Sequence, residues 1–135
     1  MPDDTTPAEN AEIRTAATAL LIDIVCVLVF CTIGRRSHAE GITLGGVAQT
    51  AWPFLTGTAV GWVASTAWRR PLALLPTGVV IWVSTVAVGM LLRKATSAGV
   101  AVSFIIVAST VTALLLLGWR GIAADVRRRR NQRSR

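Results

Sequence analysis

Four stretches of the chain, residues 16–33, 47–67, 72–92 and 100–119, are almost free of charge, and basic residues gather between and after them. Apolar positions run continuously through each stretch with no alternation of period two, which argues against strands. Crossing about 30 Å of hydrocarbon takes about 20 apolar residues in a helix. In lipid only helices and closed barrels satisfy every backbone group. The pattern therefore predicts an all-α fold, a four-helix transmembrane bundle. The first stretch contains an acid, Asp23, but its ten Leu, Ile, Val and Phe residues offset it. Each of those favours insertion by roughly 0.3–0.6 kcal/mol, against about 3 for a central Asp. Residues 1–15 read as a short, mobile polar tail, 16–120 as the membrane domain and 121–135 as a basic tail.

Composition agrees only because charge and apolar surface lie apart. Hydrophobic residues make up 53% of the chain and mean hydropathy is +0.57, yet the net charge is +7. That excludes a soluble enzyme domain, a disordered chain and a disulfide-stapled secreted module. The placement of Arg and Lys then sets orientation. Four spans put both termini on one side with Arg69 and Arg70, ten positives in all, against four at Arg35, Arg36, Arg93 and Lys94. Both termini are expected in the cytoplasm, with the chain a multi-pass protein of the cell (inner) membrane. The acidic residues Asp3, Asp4, Glu9 and Glu12 stand where a signal peptide would be basic. Arg127, Arg128, Arg129 and Arg130 follow the last span. A run so placed is expected to fix topology and attract anionic headgroups at the cytoplasmic face, not nucleic acid.

The two halves of the chain resemble each other. Arg35 precedes Gly41 as Arg93 precedes Gly99, and each half then reaches a Gly-Trp pair, Gly61-Trp62 and Gly118-Trp119. This spacing suggests two tandem helical hairpins of the same orientation. In the second span Gly57, Gly61 and Ser65 form a small-residue row that Pro53 extends. Such a row lets helices approach closely, inside the bundle or across a homodimer. Pro53 is expected to kink this span, and Pro71 suits the start of the next.

Candidate chemistry is sparse. Asp23 is the one ionisable side chain well inside a predicted span, so it is expected to face the bundle, either tying helices or coupling a proton or cation. Counting in from the span edges places Trp62 and Thr112 level with it as donors. At the other end Arg35, Arg36, Arg93 and Lys94 cap helix C-termini or snorkel to lipid phosphates. A sharper reading has Arg35 and Arg93 converging on an anionic headgroup or substrate, tuned with pH by His38 and Glu40. No nucleophile set, metal site or cofactor motif is recognisable. Cys26 and Cys31 fall on different faces of one helix and read as packing residues. Trp68 and Trp119 read as interface anchors.

Asp23 through Phe30, Gly34-Arg35 with His38 and Glu40-Gly41, Ala51-Trp52-Pro53-Phe54, Gly57, Gly61-Trp62, Arg93 and Leu117-Gly118-Trp119-Arg120 together resemble the domain-of-unknown-function 3054 family. The resemblance spans about residues 16 to 121. It implies a small four-helix membrane protein, common in actinobacteria, and supplies no activity. Small multidrug transporters share the size and an acid in the first span. They use Glu there and lack the basic loop. The expectation is thus a non-enzymatic membrane component packing against lipids or a partner. The alternative is a small homo-oligomeric transporter or channel using Asp23.

Overall fold

The computed structural model describes residues 6–37 and 41–135. Four α-helices follow in order: α1 (Pro7–Ser37), α2 (Leu44–Ala64), α3 (Val79–Ala95) and α4 (Val102–Arg133). Each packs on its neighbours in sequence and α4 closes back on α1, so the bundle is a ring, with α2 and α3 the most intimate pair.

Helix α1 begins nine residues before the expected span. The reason is local: the Thr6 hydroxyl accepts from the Glu9 amide at 3.2 Å, Pro7 occupies the first helical position, and Glu9 sits in the first turn. That is a capped start with an acid at the positive end of the helix dipole. The stretch read as a mobile tail is therefore helix from Pro7 onward. Likewise α4 continues to Arg133 through the stretch read as a basic tail, and Arg129 pairs with Asp125 one turn back at 3.0 Å. With 31 and 32 residues, α1 and α4 run about 46–48 Å, well beyond a hydrocarbon core.

Three segments are long and apolar enough to cross a membrane: α1, the segment Leu74–Ala95, and α4. Helix α2 has 21 residues, enough length, but is richer in Gly, Thr and Trp. One face of it packs within the protein, with Ala51, Pro53, Phe54, Gly57, Thr58, Gly61 and Trp62 all buried, while Trp52, Val60 and Val63 on its other side are exposed. Pro53 lies inside α2 without interrupting it. Pro71 starts no helix; a wide π-turn over Leu74–Gly78, in which Leu75 is extended, leads into α3 instead. Thr66 and Ser97, both at positive φ, terminate α2 and α3. The Ala67 and Ala98 amides return there to the Trp62 and Arg93 carbonyls, an end that spares the last carbonyls from going unpaired.

Along α1 the buried positions are Ala19, Asp23, Val27, Phe30 and Cys31, a stripe of helical period that faces the other helices. Leu21 and Val25, on the opposite side, are exposed. The core has two parts: Val27, Phe30, Phe54 and Met90 toward the α1–α2 and α3–α4 loops, and Ala19, Trp62, Ile81 and Leu116 toward the termini.

Candidate functional site

The polar centre of the bundle is a clasp on Asp23. Arg120 approaches it with both terminal nitrogens, Nη1 donating to Oδ1 at 2.8 Å and Nη2 to Oδ2 at 2.7 Å. The Trp62 indole donates to Oδ2 at 2.8 Å and the Trp119 indole to Oδ1 at 2.9 Å. Arg120 also donates from Nε to the Pro71 carbonyl at 3.0 Å and from Nη1 to the Leu116 carbonyl at 3.2 Å. Both charged side chains are 0% exposed. A forked guanidinium against a carboxylate is among the strongest side-chain pairings, and here α1, α2, α4 and the α2–α3 connection all meet at it. Gly78 leaves room for the guanidinium stem, since a Cβ there would lie 3.0 Å from Arg120 Cδ. The Arg120 guanidinium also lies over the Trp119 ring, 4.5 Å from its centroid.

Asp23 and Trp62 are thus brought together, while Thr112 is not part of the site. Its hydroxyl bonds back to the Ala108 and Ser109 carbonyls of its own helix. The register explains the difference. Counting in from residue 119 as the end of the last span put Thr112 level with Asp23, but α4 runs to Arg133, and Trp119 and Arg120 are the residues at that depth. Trp119, expected as an interface anchor, is a hydrogen-bond donor to the carboxylate. Arg120, one of the ten positives expected on the side of the termini, is the site residue that the sequence pattern did not mark. A carboxylate inside a span requires a partner, and the basic residue beside the repeat-matched Trp119 supplies it. Trp119→Phe should keep the ring and lose one donor. The expected cost is about 1–2 kcal/mol, between the range for bonds to charged groups and the lower one for bonds between membrane helices. Trp68→Phe, at a half-exposed ring, should cost almost nothing in the same detergent unfolding measurement.

At the opposite end, Arg35 and Arg93 line one cavity of about 250 Å³, together with Phe30, Thr50, Ser103 and Phe104. Arg35 donates from Nε to the Gly41 carbonyl and from Nη1 to the Thr50 hydroxyl, each at 3.1 Å. Arg93 donates from Nη2 to the Ala98 carbonyl at 3.1 Å, and its guanidinium lies 4.7 Å from the centre of the Phe104 ring. The repeat-matched arginines therefore hold equivalent loops, just as the repeat-matched Trp62 and Trp119 hold one carboxylate. Arg36 is exposed and outside this cavity, and Lys94 borders a separate open groove with Met90 and Leu91. His38 and Glu40 lie outside the described residues. Cys26 and Cys31 are free thiols.

The small-residue row is consumed within the chain. A Cβ on Gly57 would lie 2.6 Å from the Ser84 carbonyl oxygen, and one on Gly61 would lie 2.7 Å from Ile81 Cα. Both glycines thus seat α2 directly on the backbone of α3, and a homodimer would need another face. Ser65 is instead the C-cap of α2, its hydroxyl bonded back to the Gly61 carbonyl at 2.7 Å. Arg127 to Arg130 are exposed on the projecting part of α4.

The family model described as "Protein of unknown function (DUF3054)" matches residues 20–123, which contain the whole clasp and both loop arginines, and the chain belongs to that family. No curated protein and no solved structure matches it.

Proposed function

We propose that this DUF3054 member is a non-enzymatic, multi-pass component of the cell (inner) membrane, with four spans and both termini cytoplasmic. It works by packing against lipids or a partner, and the Asp23 clasp is a structural tie. The observation that supports this reading is the saturation of Asp23, whose two oxygens accept four N–H bonds in a site closed to solvent. A coupling carboxylate must release and rebind its cargo each cycle. Here, release would strand a buried guanidinium, at a cost of several kcal/mol.

Orientation rests on charge. Removing the neutralised Arg120 from the count still leaves nine positives on the terminal side against four on the other. Four consecutive arginines on a helix project in every direction around it, so any face of α4 that settles on anionic lipid presents one. Each contributes about 1 kcal/mol near such a surface.

Proteoliposomes loaded in parallel with pH-, sodium- and potassium-sensitive dyes test the reading. Under proton, sodium or potassium gradients the wild type should leak no faster than protein-free vesicles. Flux through the wild type above that of protein-free vesicles would reject it in favour of a small homo-oligomeric transporter or channel.

A further inference from the structure

We infer that the cavity between Arg35 and Arg93 binds a phosphate group, either the phosphodiester of a lipid headgroup or a free phosphate. The inference is independent of the role given to Asp23, which lies toward the other end of the bundle.

Every helix contributes to this cavity: Phe30 and Arg35 from α1, Thr50 from α2, Arg93 from α3, and Ser103 and Phe104 from α4. At about 250 Å³ it falls below the roughly 300–1,000 Å³ typical of pockets for larger organic ligands, so a small group suits it. Its described lining carries two guanidinium groups and no carboxylate. Guanidinium is the side chain whose fork matches phosphate oxygens.

Two further groups have donors to spare. Arg93 Nε is buried and has no hydrogen-bond partner, although Nη2 and the Phe104 ring hold the rest of that guanidinium in place. Buried donors are rarely left unsatisfied, and a bound anion is one way to satisfy this one. The first turn of α4 also reaches the cavity through Ala101 and Ser103. Its N-cap, Ala101, provides no side-chain acceptor, so the opening amides of α4 lack a capping side chain, and such helix ends attract phosphate. Arg35 is positioned by the Thr50 hydroxyl and the Gly41 carbonyl and lies close over Gly46, where a Cβ would come within 2.5 Å of Nη2.

The experiment is a thermal-unfolding titration of the full-length protein in a phosphate-free maltoside detergent. One arm adds sodium phosphate, with sodium chloride exchanged to hold ionic strength constant. The other adds short-chain phosphatidylglycerol, with short-chain diacylglycerol as the control. A saturable rise in the wild-type midpoint is expected in at least one arm. Arg35→Gln and Arg93→Gln should each weaken apparent binding at least ten-fold, while Arg133→Gln, on the far end of α4, leaves it unchanged. A response to phosphatidylglycerol alone identifies a lipid headgroup, and one to phosphate alone identifies a soluble anion. No saturable response in either arm overturns the proposal, and so does equal binding by wild type and the Arg35 and Arg93 variants. Should the glutamine variants fail to fold, Arg93→Lys keeps the charge but not the fork. It should then bind several-fold more weakly, and an unchanged constant would refute the site.

Discussion

Arg120→Met is expected to destabilise the bundle by about 3–5 kcal/mol, the range for removing one partner of a buried ion pair. The variant leaves Asp23 with only two indole donors in a site closed to water. Asp23→Asn should cost a similar amount for the opposite reason, since Arg120 then keeps its charge and loses its counter-ion. The informative species is the double variant Asp23→Leu with Arg120→Met. It removes both charges, and apolar replacements of a buried pair are often neutral or stabilising. It should therefore recover most of the loss, giving a coupling of several kcal/mol in a double-mutant cycle. Reversible unfolding in mixed detergent micelles measures all three. Single variants within about 0.5 kcal/mol of wild type, the scatter of ordinary surface substitutions, would mean that the clasp holds nothing together.

The bundle itself was legible because long apolar runs mark helices able to cross a membrane, and three of its segments are such runs. Helix α2 is not among the segments apolar enough to cross a membrane, and its Gly57, Thr58, Gly61 and Trp62 are buried within the protein. The first turns of α1 and the last of α4 project past the apolar core, and hydropathy has no view of them. A different signal was present for α1: Thr6, Pro7 and Glu9 spell a capped helix start. The candidate site was half visible. Asp23 declared itself as an acid among apolar residues, and Trp62 followed from the depth count. Arg120 did not, because a cation one residue beyond a predicted span looks like an interface charge. Twelve residues before Arg35 stands Asp23, and twelve before Arg93 stands Ile81, which is also fully buried. The repeat therefore carries the tryptophans and loop arginines of both halves but only one acid, and one acid calls for one buried cation.

The second large effect belongs to the α2–α3 contact. Gly57→Leu is expected to cost about 3 kcal/mol or more, at the upper end of overpacking penalties. The atoms a side chain would strike are backbone: Ser84 O at 2.6 Å, Thr85 Cα at 2.8 Å and Thr85 O at 2.9 Å from the Cβ alone. A side chain can rotate aside, but a helix backbone yields only by moving the helix. Separating α2 from α3 would also stretch the buried Thr58–Thr85 hydroxyl bond, now 2.8 Å, adding about 0.5–1.5 kcal/mol. Glycine's general weakness as a helix former is controlled by Gly118, where an added Cβ meets nothing within 4 Å. Gly118→Ala should be neutral or stabilising by up to about 1 kcal/mol, as helix propensity alone dictates. Gly57→Ala should destabilise in the same unfolding assay. Opposite signs at two glycines in apolar helices would isolate close backbone packing as the cause, and equal signs would remove it.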